Sequence, residues 1–290
     1  VLHNCPDIED VRTALAILES LGCKTRWEGS TLCIDASGLS RSRVEKRLAG
    51  KMRSSILFLG ALLTRCGKAE LALPGGCPLG ERPIDLHVKS LAKLGARFRF
   101  EKGILQAAWR ERRDGDIFLS IPSVGATENL LLACAMGHGT VTLHGAAREP
   151  EITDLIGFLR AAGADIRGAG TSELTICGAH KLHGATYTIL PDRIETATYL
   201  CMAAGCGGDV ALRRCDGRLL APVIGCLREA GCEIRSVGSE IALKSSGKLT
   251  AVSPVTTAPY PGFPTDAQAI LMAAVLRAKG ESVFRETVFE

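Results

Sequence analysis

The stretch Ile156–Ile176, IGFLRAAGADIRGAGTSELTI, decides the architecture because the chain carries it four times. Its relatives are Ala16–Ile34 (AILESLGCKTRWEGSTLCI), Lys89–Ala107 (KSLAKLGARFRFEKGILQA) and Ile224–Leu243 (IGCLREAGCEIRSVGSEIAL). Each reads as a helix end, a glycine turn and a short strand pair. The turn glycines are Gly22, Gly95, Gly163 and Gly231, separated by 73, 68 and 68 residues. Glycine takes the left-handed conformation that ends a helix without a Cβ penalty. The alternation after each glycine predicts strands.

A second marker keeps the same interval. Arg53–Leu63, Gly125–Met136, Ile194–Ala204 and Pro264–Ala274 each run from polar residues into an apolar helix. Ser55, Thr127, Thr196 and Thr265 align there, 72, 69 and 69 residues apart, and are expected to cap those helices. The unit is therefore about 70 residues: strand, helix, strand, helix, then two strands. It is longer than a solenoid repeat. NLLLACAM and YLCMAA are apolar almost all round, which predicts helices inside and sheets outside, with several units around a pseudo-axis.

Composition sets the outer limits. The chain has 290 residues, 46% hydrophobic and 23% charged, with a net charge of +4. That suffices for two domains with real cores and carries no basic run suited to nucleic acid. No apolar run reaches membrane-spanning length, and VLHNCPDIED lacks the features of a signal peptide. Twelve cysteines without a CxxC motif or a secretory signal read as reduced and cytoplasmic. Cys134, Cys201, Cys206 and Cys226 fall in helical patterns as small buried residues. Cys177, His180 and His183 have three-residue spacing but no fourth ligand, so a polar loop is expected and no metal.

One loop asks for chemistry. In Leu73–His87, LPGGCPLGERPIDLH, Cys77 follows Gly75 and Gly76 and precedes Arg82. The glycines allow a close approach to a ligand. A nearby guanidinium favours the thiolate and suits phosphate or carboxylate. Taken alone, the loop also reads as a plain Gly-rich turn. Arg53 places a cation at a helix start, where the dipole opposes it; it reads as a residue with a ligand or as a solvated surface arginine. Asp266 opens its helix after Pro259, Pro261 and Pro264; it reads as a helix cap or as a general base. Ser120–Asn129, SIPSVGATEN, offers N–H groups at another helix start, for capping or for an anion.

Together, LPGGC-x-x-G-x-RP-x-DLH, IPSVGATEN, EPEITDL, PDRIETATYL and TAPYPGFPTD resemble the UDP-N-acetylglucosamine 1-carboxyvinyltransferase family of enolpyruvyl transferases, most strongly from Arg53 to Glu290. The resemblance implies an inside-out α/β prism fold, with residues 1–190 as most of one domain and 191–290 as an incomplete second. It implies transfer of the enolpyruvyl group of phosphoenolpyruvate to the 3′-hydroxyl of UDP-N-acetylglucosamine in cytoplasmic peptidoglycan synthesis, with phosphate released. No cofactor, nucleic acid or membrane is implied.

By the same resemblance Cys77 is the acid and the residue alkylated by fosfomycin, and Asp266 the base. Arg82 and Arg53 hold the anionic substrates. Arg82, Pro83, Ile84, Asp85 and Leu86, with Ser120, Ile121, Pro122 and Ser123, contact the nucleotide sugar, and Val288 lies near the sugar. This requires Cys77, Arg53, Arg82 and Asp266 to converge. The resemblance implies a Lys-Asn pair near the N-terminus, for which no counterpart is found before Val1, and a late arginine that would fall beyond Glu290. The chain therefore reads as a fragment cut at both ends, the second inside the strand-like run SVFRETVFE. Two alternatives stay open: a non-catalytic or truncated nucleotide-sugar-binding paralogue, and the sister enzyme acting on shikimate 3-phosphate.

Overall fold

The four turn glycines fix the fold as their spacing predicts. In the computed structural model, which describes residues 1–75, 83–110 and 112–289, Gly22, Gly95, Gly163 and Gly231 have φ of 105°, 99°, 101° and 103°. At each, the glycine N–H bonds the carbonyl three residues back: Glu19, Ala92, Arg160 and Arg228. The next N–H bonds the carbonyl five residues back: Leu18, Leu91, Leu159 and Leu227. That pair of bonds is the Schellman motif, which satisfies carbonyls a helix end would leave orphaned.

The chain divides into two compact units, Val1–Ile189 and Leu190–Glu290. The first contains β1 (Leu2–His3), α1 (Glu9–Ser20), β2 (Lys24–Glu28), β3 (Thr31–Asp35), α2 (Lys46–Ala49), a 3₁₀ turn (Arg53–Leu57), α3 (Phe58–Cys66) and β4 (Lys68–Ala72). It continues through α4 (Asp85–Lys93), β5 (Arg97–Glu101), β6 (Ile104–Ala108), β7 (Gly115–Phe118), α5 (Val124–Cys134), β8 (Thr140–His144), α6 (Pro150–Ala161), β9 (Asp165–Arg167), β10 (Glu173–Cys177) and β11 (Tyr187–Thr188). From β7 to β10 the order is the predicted strand, helix, strand, helix, strand, strand.

Its three sheets repeat one topology. The orders are β11-β1-β3-β2, β4-β6-β5 and β7-β8-β10-β9. Each opens on a parallel pair: β1 with β11, a bridge from Arg43 to Glu70 on β4, and β7 with β8. Each then adds an antiparallel hairpin whose second strand lies next to that pair. The hairpin strands point charge outward, as in the ion pairs Arg26–Glu28, Arg99–Glu101 and Arg167–Asp165. Their inner faces carry residues such as Leu105, Ile166 and Ile176.

Helices fill the interior. On α5, Ala126, Leu130, Leu131, Ala133 and Cys134 are buried, and α3 contributes Leu59, Leu62 and Leu63 to the same core. Each large side chain removed from water in this way stabilises the fold by about 1.5–3 kcal/mol. The two helices meet at Gly60: a Cβ there would lie 2.3 Å from the Asn129 carbonyl oxygen. Only glycine fits.

The second unit holds α7 (Arg193–Cys206), β12 (Gly208–Arg213), a 3₁₀ turn (Gly217–Leu220), α8 (Ala221–Glu229), β13 (Glu233–Val237), β14 (Glu240–Ser245), β15 (Val255–Thr256), α9 (Thr265–Val275) and β16 (Phe284–Arg285). Its sheet β12-β14-β13 repeats the hairpin rule, and β15 pairs in parallel with β16. Leu200, Val223, Leu227, Leu243 and Leu271 form its core.

Four sequence expectations fail here. Ser55, Thr127, Thr196 and Thr265 are not caps. Their hydroxyls donate instead, to Ala49 O (2.9 Å), Ser123 O (2.8 Å), Asp192 O (2.9 Å) and Glu286 Oε2 (2.7 Å). The caps of α5 and α7 are Ser123 and Asp192, four residues earlier. The period survives because each hydroxyl occupies one place in the repeat. Next, YLCMAA is not buried all round: Tyr199 and Met202 are exposed, since described neighbours pack on only one side of α7. Cys206, at the end of α7, is likewise exposed and Cys226 half-buried, although the eleven described cysteines are all free thiols. Finally, SVFRETVFE yields only the two residues of β16, because Glu286 turns the following backbone onto its own carboxylate.

Candidate active site

Cys77 and Arg82 lie outside the described residues; their neighbours do not. Gly75 carries the chain out of β4, with its N–H on Ala49 O at 3.2 Å. A Cβ at Gly75 would fall 1.7 Å from Gly50 O. The glycine expected to make room for a ligand makes room for the Ala49–Gly50 turn. Ser55 bonds that turn as well, so one anchor serves both the Cys77 loop and the turn that bears Arg53.

Arg53 opens its 3₁₀ turn and donates from Nη2 to Pro83 O at 3.3 Å. Its cation at a helix start thus has a carbonyl to answer, the C=O directly ahead of Ile84, Asp85 and Leu86. Asp85 is the first residue of α4 and pairs with Lys89 Nζ at 2.9 Å, which holds its carboxyl below the usual range. His87, next in line, is buried against Gly125 in the first turn of α5. Burial, then the Arg53 charge, pushes the imidazole down to about 4, against the pull of Asp85. Neutral His87 therefore sits at the junction of the α4 and α5 starts.

Ser120, Ile121 and Pro122 are exposed just ahead of α5. Ser123 caps that helix, its oxygen accepting from Ala126 N at 3.3 Å. The Arg53 guanidinium meets the approach to α4, and His87 of α4 meets the first turn of α5; a cation beside two helix starts is an arrangement suited to an anion. On the next face of α5, Glu128 is pushed up to about 7 by burial and by the charges of Glu151 and Glu149.

In the second unit Asp266 is exposed in the first turn of α9, after the cis peptide Tyr260–Pro261. Glu286, which sequence reasoning missed, organises its surroundings. Its carboxylate accepts from Thr257 Oγ1 (2.8 Å), Thr265 Oγ1 (2.7 Å), Val288 N (2.6 Å) and Phe289 N (3.1 Å). Burial raises this carboxyl, but those four donors outweigh it and hold it at about 2. Val288 is thereby fixed and left partly exposed. The structure brings Arg53 to Pro83–Leu86 and the start of α5 in one unit, and ties Val288 through Glu286 to the residue before Asp266 in the other.

The side chains of the Cys177–His183 stretch each meet a different neighbour. Cys177 accepts from Thr140, His180 meets His138 edge-on, and His183 Nδ1 lies 3.0 Å from Gly184 O. Among the described residues no three His, Cys, Asp or Glu side chains are placed to hold an ion.

The sequence model of one family, described as EPSP synthase (3-phosphoshikimate 1-carboxyvinyltransferase), matches residues 1–290. The chain belongs to this enolpyruvyl transferase family. Within the family it is 42% identical over 290 residues to UDP-N-acetylglucosamine 1-carboxyvinyltransferase 2 of Caldanaerobacter subterraneus subsp. tengcongensis. It is 43% identical over 290 residues to UDP-N-acetylglucosamine 1-carboxyvinyltransferase of Solidesulfovibrio magneticus. In both cases all of this chain aligns with 70% of the relative, so the chain spans about 70% of their length. Among solved structures, the enolpyruvyl transferase NikO from Streptomyces tendae superposes with a TM-score of 0.86 at 27% identity, covering 98% of this chain and 68% of that one. EPSP synthase from Acinetobacter baumannii shares the fold, with a TM-score of 0.65 at 20% identity over 98% of this chain and 66% of its own. The inside-out α/β architecture is that of enolpyruvyl transferases, and the protein is a transferase.

Proposed function

We propose that the protein moves the enolpyruvyl group of phosphoenolpyruvate to the 3′-hydroxyl of UDP-N-acetylglucosamine. The observation that carries this reading is the meeting of Arg53, Pro83–Leu86 and the capped start of α5 at one end of the first unit. That end offers a cation and two helix starts to a nucleotide diphosphate. Identities of 42% and 43% across the whole chain favour this acceptor over shikimate 3-phosphate.

In the reaction, Asp266 takes the proton of the sugar 3′-hydroxyl, and its oxygen bonds C2 of phosphoenolpyruvate. Cys77 supplies a proton to C3, which becomes a methyl group. The resulting tetrahedral intermediate then loses phosphate from C2 and a proton from C3, restoring the vinyl group on the new ether. Arg82 and Arg53 hold the two anions together, so that both bonds form at a fixed distance. Helix-start dipoles add to the same field. The work belongs to peptidoglycan precursor synthesis in the cytoplasm; among the described residues no helix is long and apolar enough to cross a membrane.

The test is acceptor-dependent phosphate release. With phosphoenolpyruvate present, UDP-N-acetylglucosamine is expected to start release and shikimate 3-phosphate to leave it at background. Release with shikimate 3-phosphate alone would overturn the assignment. Saturable binding of the nucleotide sugar without release under any condition would favour the non-catalytic paralogue.

A further inference from the structure

Asn129 is completely buried on α5, yet every polar atom of its side chain is engaged. Its Oδ1 accepts from Gly60 N at 2.6 Å. Its Nδ2 reaches Ile56 O at 2.9 Å and His87 Nδ1 at 2.9 Å. The orientation of the amide follows from its partners: a backbone N–H only donates and a carbonyl only accepts. With one Nδ2 hydrogen on Ile56, the other points at Nδ1, which must be the acceptor. His87 then carries its proton on Nε2.

The place of this amide is unusual. In an uninterrupted α-helix the Ile56 carbonyl and the Gly60 N–H, four residues apart, would pair with each other. Here the amide of Asn129 bonds both, where the 3₁₀ turn passes into α3. A side chain inserted into the ladder in this way fixes the angle between the two pieces. The 3₁₀ turn begins at Arg53. His87 directly follows Pro83–Leu86, and its ring fills the space at Gly125, where a Cβ would lie 3.2 Å from Cε1. Gly125 follows the Ser120–Ser123 segment by two residues. All three segments with proposed substrate contacts in this unit are therefore tied to one side chain.

We infer that Asn129 is a positioning residue for the nucleotide-sugar site: it locks His87 in the Nε2–H tautomer and fixes Arg53, Pro83–Leu86 and Ser120–Ser123 relative to one another before ligand arrives. The inference rests on the proposed assignment of those contacts to the nucleotide sugar. Asn129 keeps no free donor for a ligand and no exposed surface, so it acts through the segments it joins. The neutral imidazole this lock needs is favoured by burial and by Arg53, and opposed by Asp85.

Two measurements decide it. Long-range imidazole NMR of the ¹⁵N-histidine-labelled protein at pH 7 should show His87 Nδ1 as pyridine-like and Nε2 as pyrrole-like. The opposite tautomer, or an average of the two, would overturn the lock. Calorimetric titration with UDP-N-acetylglucosamine then compares His87→Leu, which strands an Asn129 N–H, with His87→Asn, which returns an acceptor near the place of Nδ1. Leaving a buried donor unpaired should weaken binding about tenfold in His87→Leu, and His87→Asn should stay within about threefold of wild type. Turnover at saturating substrate should change less than the affinity does. Wild-type affinity in His87→Leu would refute the positioning role and leave the proposed function standing. A wild type that binds phosphoenolpyruvate but never the nucleotide sugar would overturn the site reading and, with it, the inference.

Discussion

Replacing Glu286 by Gln tests how the surroundings of Asp266 are held. The carboxylate gathers Thr257, Thr265, Val288 and Phe289 through four hydrogen bonds. Its titration is drawn from 4.5 to about 2. In a fully desolvated site such a change would be worth about 3 kcal/mol. Glu286 is exposed, and screening by water reduces the figure to about 1 kcal/mol. The sign follows from the direction. A carboxyl depressed in the native state adds stability that is complete above its unfolded value of 4.5 and is lost as pH falls toward 2. Both tryptophans, Trp27 and Trp109, lie in the other unit, so fluorescence would miss the effect. Amide hydrogen exchange at Val288 and Phe289, corrected for intrinsic rates, reads it locally. Protection at pH 7 should fall about fivefold in Glu286→Gln, matching ~1 kcal/mol, and the deficit should close between pH 4.5 and pH 2. An equal deficit at every pH, or none at pH 7, would refute the reasoning.

Glu128 carries the opposite sign. Its carboxyl is raised to about 7 in the fold, so wild-type stability should drop by about 1–3 kcal/mol as pH rises from 4.5 through 7, and Glu128→Gln should flatten that slope in urea titrations. Gly60→Ala forces a methyl group against the Asn129 carbonyl and should cost about 1–3 kcal/mol by chemical denaturation, the range of overpacked contacts. Gly75→Ala meets backbone at Gly50; it should lower fosfomycin labelling of Cys77 by displacing the base of its loop, as mass spectrometry of the Cys77 peptide would show. Asp266→Ala should lose most phosphate release while retaining UDP-N-acetylglucosamine binding, and unchanged turnover would reject the proton-acceptor role.

The fold was legible because two kinds of marker repeat. Gly22, Gly95, Gly163 and Gly231 each need a backbone conformation that other residues resist, and that need is written in the residue type. The meaning of Ser55, Thr127, Thr196 and Thr265 was not legible. A hydroxyl that donates, to an earlier carbonyl at Ser55, Thr127 and Thr196 or to the Glu286 carboxylate at Thr265, has the same spacing as one that caps, and only the acceptor tells them apart. Exposure of Tyr199 and Met202 was hidden for a related reason: apolarity shows what a helix could bury, not what lies beside it.

For the site, the resemblance pointed to Arg53, Pro83–Leu86 and Ser120–Ser123; the structure bonds Arg53 to Pro83 and sets His87 against Gly125. Asn129 and Glu286 escaped notice because each works through partners far away in sequence: Gly60 and His87 for one, Thr257 and Thr265 for the other. A sequence signal did exist for Asn129. A fully polar residue in the midst of an apolar helix has to be hydrogen-bonded wherever it is buried.

The central claim, addition followed by elimination at C2 and C3 of phosphoenolpyruvate, is tested most directly by turnover in D₂O with UDP-N-acetylglucosamine as acceptor. A proton delivered to C3 makes a methyl group, and its later loss need not remove the same hydrogen. Deuterium should therefore enter the enolpyruvyl methylene of the product, seen by NMR, and the incorporation should disappear in Cys77→Ser. Product formed at the wild-type rate with a methylene free of deuterium would contradict the account.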